Sequence, residues 1–171
     1  VQEKPGGKKP GLIKRVEHMI IEPDFVLCDI RANSKKHVLE AVAKEISRYL
    51  DGACSCNDLL DALLEREKIG STAIGGGVAI PHVRLSCLDN CFSTFIRLPR
   101  PVSFDAYDGE PVDLIYLLLA PATPNSRTAS LMQLARISNF FRNEDFRNML
   151  RNTEDVNALI HSRNDEIAQA A

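Results

Sequence analysis

Several kinds of protein are excluded by what this sequence lacks. No apolar run approaches the roughly 18 residues a helix needs to span a bilayer, and the start of the chain carries no secretory h-region. The expectation is a soluble, cytoplasmic protein with no direct membrane insertion. Excess charge is missing too: 21 basic and 23 acidic side chains give a net charge of −2. That is no electrostatic footprint for general nucleic-acid binding. No internal repeat is visible. A regular cysteine framework is also absent. The five cysteines, Cys28, Cys54, Cys56, Cys87 and Cys91, are odd in number and unevenly spaced. This predicts free, inert thiols in a reducing compartment rather than disulfides. Neither Cys54/Cys56 nor Cys87/Cys91 has the two-residue spacing or the neighbouring histidine of a zinc site, so no metal and no cofactor is expected.

What remains is one ordinary domain with spare ends. At 171 residues and 44% apolar content, the chain can bury a proper core. Residues 1–11 read as a flexible basic tail rich in Pro, Gly and Lys, residues 12–162 as the folded domain, and residues 163–171 as a frayed tail. A short amphipathic turn is expected over 12–19. Phe25 to Ile30 reads as a strand. Ser34 reads as an N-cap for a helix from Lys35 to Leu50, on whose face Val38, Val42, Ile46 and Leu50 recur. Ser55 caps a second helix that buries Leu59, Leu60, Leu63 and Leu64 and stops near Ile69-Gly70.

Short strands follow at Ser71 to Ile74 and Val78 to Ile80, broken by glycines. Cys91 to Leu98 alternates as a strand that Pro99-Arg100-Pro101 ends. Asp113 to Ala120 is continuously apolar, as in a central strand buried on both faces. Helices are expected over Arg127 to Phe141, with Leu131, Leu134, Ala135 and Ile137 inward, over Asp145 to Leu150, and over Thr153 to His161 with Thr153 as cap. Strands with helices between them give an α/β fold.

The chemistry concentrates between Arg66 and His82, REKIGSTAIGGGVAIPH. Gly75, Gly76 and Gly77 permit positive φ and close approach of a ligand to open backbone donors. Pro81 stiffens the chain before His82. An imidazole with an ordinary pKa near 6.5 is largely neutral at cytosolic pH, so one nitrogen keeps a lone pair able to attack phosphorus without a separate base. Arg66 can hold phosphate oxygens with its fork, or can simply be a solvated helix-end residue. Ser71 and Thr72 either bond phosphate, orient His82, or serve as caps. The glycines are either phosphate-binding or purely conformational. His18, His37 and His161 read as surface or packing residues. Asp105, Asp108, Glu110 and Asp113 form an acidic stretch that is either a solvated loop or a steering surface for a basic-faced carrier.

This run resembles the active-site signature of enzyme IIA domains of the mannitol/fructose class in the bacterial phosphoenolpyruvate-dependent phosphotransferase system. The segment FDAYDGEPVDLIYLLLAP, Phe104 to Pro121, is similar to the same family's stretch after the active-site loop. The resemblance covers roughly Asp24 to His161, and the nitrogen-regulatory, single-domain branch matches best in size. It implies a mixed β-sheet flanked by helices on both sides. It also implies phosphorylation of His82, on Nε2, by an HPr-type phosphocarrier, with Arg66 nearby and no metal.

Many family members carry a second histidine at the start of the helix after the LLAP-like strand. Here that stretch is Asn125 to Leu131, with Ser130 at or near the expected place and Arg127 as a candidate source of the missing positive charge. With no adjoining transporter segment, output through downstream regulatory protein targets is favoured over sugar uptake. The alternatives are a sugar-specific fructose or mannitol IIA component and a phosphorylation-impaired interaction module. A hydrolase using His82 as base lacks a convincing nucleophile and oxyanion site.

Overall fold

A computed structural model describes residues 22–169, with side chains described for 22–162. The expected tail over 1–11 and the turn over 12–19, with His18, lie outside the described residues. The elements in chain order are β1 (Phe25–Leu27), α1 (Lys35–Tyr49), α2 (Cys56–Ile69), β2 (Ala73–Gly75), β3 (Val78–Ala79), β4 (His82–Leu85), β5 (Phe92–Val102), β6 (Val112–Pro121), α3 (Ser126–Phe140), α4 (Glu144–Asn152) and α5 (Val156–Gln169).

The strands form one mixed sheet with β6 at its centre. On one side β6 pairs antiparallel with β5, which pairs parallel with β1. On its other side β6 is flanked along its length by two parallel strands in turn, first β3 and then β4. β2 adds antiparallel to β3.

The continuous apolar run of β6 is divided between two cores by strand periodicity. Ile115, Leu117 and Leu119 face a core built with Val38, Leu39, Val42 and Ile46 of α1 and Leu59 and Leu63 of α2. Leu114, Tyr116 and Leu118 face a second core with Ile137, Phe140, Phe141, Phe146, Leu150, Val156 and Ile160 of α3 to α5. Each fully buried leucine of this kind contributes about 1.5–3 kcal/mol. The expected architecture, a mixed sheet with helices on both sides, is the one observed.

Local signals explain most element ends. The Ser34 and Ser55 hydroxyls accept from the amides of His37 and Asp58, as N-caps do. Gly76 and Gly77, at φ +62° and +77°, supply the two successive positive φ values of a primed hairpin turn between β2 and β3.

Four expectations are corrected. β5 does not end at Leu98 but runs through both prolines, because its ladder shifts there. Arg97 pairs with Leu114 and Val102 with Val112, so Leu98 to Pro101 oppose Asp113 alone and the prolines owe the ladder no N–H. α5 is capped by Asp155, whose carboxylate accepts from the Ala158 amide at 2.9 Å, while Thr153 instead accepts from the Asp155 amide. In α3, Leu131 and Ala135 are exposed and the core takes Ile137 and Phe140. The five thiols are not all free: Cys54 and Cys87 form a disulfide, leaving Cys28, Cys56 and Cys91 as thiols. The fold brings these two together across 33 residues, to a Cα separation of 5.4 Å, a proximity no spacing rule encodes.

Candidate phosphoryl-acceptor site

His82 opens β4, opposite Leu118 of β6. Parallel partners face the same side, so the ring lies at the free edge of the sheet, on the face that α3 covers. Its two nitrogens are assigned by their partners. Nδ1 lies 2.8 Å from the Ile80 carbonyl oxygen, which can only accept. Nε2 lies 3.2 Å from Arg66 Nε, which can only donate. The ring is therefore the neutral Nδ1–H tautomer with its lone pair on Nε2. Burial, and after it the Arg66 charge, hold the His82 pKa below its ordinary 6.5, against the opposing pull of the Ile80 carbonyl and of Glu67.

Arg66 sits on the last turn of α2, where its Nη1 also donates to the Gly70 carbonyl at 2.9 Å. That bond fixes the guanidinium over the imidazole. A cavity of about 750 Å³ opens beside them, between α2 and α3. Arg66, His82, Arg84, Arg127, Ser130 and Leu131 are among its lining residues. Ser130 is buried, and its hydroxyl donates to the Arg127 carbonyl. The lining carries three guanidiniums against the single carboxylate of Glu65, an electropositive hollow with a neutral nucleophilic nitrogen in its wall.

Other residues singled out from the sequence lie elsewhere. The Ser71 hydroxyl donates to the Phe104 carbonyl and accepts from the Ala73 amide. Thr72 is buried, its amide and hydroxyl both donating to Glu67. Gly75 packs against Tyr107 and Asp108. Gly76 and Gly77 line a separate cavity with Arg147 and Arg151. Their backbone is occupied: the Gly76 amide donates to Asp108, the Gly76 carbonyl accepts from Arg151, and the Gly77 carbonyl accepts from the Asp113 and Leu114 amides. In the acidic stretch, Asp105 pairs with Lys35, Asp108 holds the glycine turn and Asp113 pairs with Arg151. None of the four carboxylates lines the His82 cavity. His37 and His161 are exposed.

Two side chains escaped the sequence reading. Glu67 is buried at the end of α2, where Lys35 and Thr72 hold its carboxylate. Its signal was available, since Leu59, Leu63 and Glu67 repeat every four residues along one buried face. Arg84 joins the cavity because it lies two residues beyond His82 in β4, with Arg84 Nη2 donating to the Thr123 carbonyl at 2.6 Å. The sequence offers no comparable signal for it.

Comparison with known proteins shows the family. The family profile "Phosphoenolpyruvate-dependent sugar phosphotransferase system, EIIA 2" matches residues 19–163. A nitrogen regulatory protein of Bradyrhizobium diazoefficiens is 40% identical over 140 residues, covering 82% of this chain and 89% of that protein. The crystal structure of nitrogen regulatory protein IIA-Ntr from Neisseria meningitidis superposes with a TM-score of 0.70 at 34% identity, over 80% of this chain and 92% of that one. The IIA mannitol structure from Escherichia coli shares the fold, with a TM-score of 0.62 at 20% identity over 79% of this chain and 94% of that one. The chain thus belongs to the EIIA 2 family of the phosphoenolpyruvate-dependent sugar phosphotransferase system, in its nitrogen-regulatory, IIA-Ntr-like branch.

Proposed function

We propose that this protein is a phosphocarrier that accepts a phosphoryl group on His82 Nε2 from an HPr-type carrier and signals through contacts with regulatory protein targets. One observation carries the reading: the Ile80 carbonyl and Arg66 together fix the tautomer that leaves the Nε2 lone pair on the cavity side.

In the transfer, Nε2 forms a bond to phosphorus as the N–P bond of the donor phosphohistidine breaks. The donor imidazole leaves with that electron pair. His82 Nδ1 keeps its proton and goes on donating it to the Ile80 carbonyl, whose dipole offsets the positive charge developing on the ring. Arg66 gives up its bond to Nε2 and donates to the phosphoryl oxygens instead, a charge-assisted contact stronger than the one it loses. Arg127 and Arg84 add positive potential at the cavity wall. Ser130 supplies a hydroxyl at or near the place where many family members carry a histidine. Ser71, Thr72 and the three glycines act by shaping the segment that leads to His82.

The test is incubation with phosphoenolpyruvate, enzyme I and an HPr-type carrier, followed by intact mass. One acid-labile phosphoryl group is expected on the parent and none on His82→Ala. Equal labelling of that variant would remove His82 from the role.

A further inference from the structure

The disulfide joins the two elements that carry the proposed acceptor pair. Cys54 lies two residues before α2, whose last turn holds Arg66, and Cys87 lies two residues after β4, whose first residue is His82. α2 and β4 pack against one another through a shared core containing Leu59, Leu63, Val83 and Leu85. The start of α2 is thereby tied to the end of β4 by sulfur, and the end of α2 to the start of β4 by the Arg66–His82 hydrogen bond. Two cross-links close the ends of one helix–strand pair.

The bond is open to chemistry from one side only. Cys54 is fully buried, whereas Cys87 is exposed. Two further thiols stand close in sequence: Cys56, half-buried at the first position of α2, and Cys91, exposed before β5.

We propose that Cys54–Cys87 is a reversible thiol–disulfide modification site that sets how firmly α2, and with it Arg66, is held against His82. The reacting class is a dithiol, either small or carried by a protein. A thiolate of that dithiol attacks the exposed Cys87 sulfur. The Cys54–Cys87 bond breaks, and Cys54 leaves as a thiolate that takes up a proton. The second thiol then attacks the mixed disulfide, Cys87 leaves as a thiolate and is protonated, and the dithiol departs as its own disulfide. Two electrons have passed to the protein. A small disulfide reverses the sequence. The effect on phosphoryl acceptance rests on the role proposed for His82; the redox chemistry does not.

The full chain is compared before and after dithiothreitol. Alkylation under denaturing conditions is expected to find the three free thiols of the oxidised form and all five cysteines after reduction. Reduction lowers the melting temperature by about 5–15 °C and shifts the NMR resonances of the His82 ring. It also slows phosphoryl acceptance by about three-fold or more, as a loosened Arg66 reaches its oxygens less often. Cys87→Ser, at an exposed position, reproduces the reduced behaviour and abolishes the response to dithiothreitol. Cys54→Ala is the companion that avoids burying a hydroxyl.

Five alkylated thiols even after treatment with a small disulfide would overturn the site. A changed thiol count with unmoved His82 resonances would overturn its coupling to α2. If neither redox form accepts a phosphoryl group, the phosphocarrier proposal fails, while thiol count and ring resonances still decide this one.

Discussion

Arg66 and His82 stand 16 residues apart in the chain, yet Arg66 Nε donates to His82 Nε2 across 3.2 Å. The guanidinium thus occupies the nitrogen proposed to take phosphorus. The Gly70 carbonyl holds the other end of that guanidinium, so it needs only a small displacement to pass from imidazole to phosphate.

This arrangement predicts a kinetic role for Arg66 larger than its structural one. A charge-assisted contact contributes about 1.5–3 kcal/mol, and each 1.4 kcal/mol corresponds to about ten-fold in rate. Arg66→Ala should therefore slow phosphoryl acceptance ten-fold or more, with little change in melting temperature. Stopped transfer assays beside a thermal melt check it. A large fall in stability with unchanged transfer would make Arg66 a structural residue instead.

The lowered pKa of His82 fixes the sign of its pH response. Burial is the first cause. Above 6.5 the ring is neutral whether folded or unfolded, and its contribution to stability is complete. As pH falls from 6.5 through the folded value, the unfolded chain binds a proton that the folded ring refuses, and that contribution is lost. Phosphoryl acceptance should fall as pH drops through the folded value, which lies below 6.5, since protonation consumes the Nε2 lone pair. Arg66→Ala removes a nearby positive charge and should move the midpoint upward. An NMR titration of the His82 ring, run beside the rate profile, measures both.

The cavity distinguishes two places for a second histidine. Ser130 lines it together with His82, whereas Ala129 does not line it and is exposed. Ser130→His should raise the transfer rate or prolong the phosphohistidine lifetime, by at most about a hundred-fold, the lower range for one well-aimed donor. Ala129→His should do neither. If both variants match the parent, Arg127 becomes the residue to test, by Arg127→Ala.

Glu67 predicts a stability effect separable from chemistry. Its carboxylate accepts from the buried Thr72 amide and hydroxyl and faces Lys35. Glu67→Ala leaves those donors without their acceptor, at a cost of about 1–3 kcal/mol for a buried unsatisfied group. The expected fall is roughly 2–10 °C in melting temperature. Glu67→Gln keeps a carbonyl acceptor and should lose less. Thermal unfolding monitored by circular dichroism orders the three proteins.

The sequence by itself determined the helices, the serine caps of α1 and α2, the central strand and the histidine to examine. These are local matters: periodicity reports which face is buried, a cap reports the start of a helix, and a proline before a histidine reports a rigid turn. The resemblance of the REKIGSTAIGGGVAIPH run to the family signature also implied Arg66 near His82, where the structure has it.

Tertiary structure alone decided the rest. The three glycines share a motif with His82, but Gly75 packs against Tyr107 and Asp108 while Gly76 and Gly77 line another cavity with Arg147 and Arg151, because the β2–β3 hairpin turns them away from β4. Arg127 and Ser130 reach the site only because β6 delivers α3 to the edge where β4 lies. The Cys54–Cys87 bond forms only because α2 packs along β4. Each is a contact between segments distant in the chain, set by which faces the two cores bury together, and no local pattern of residues encodes that choice.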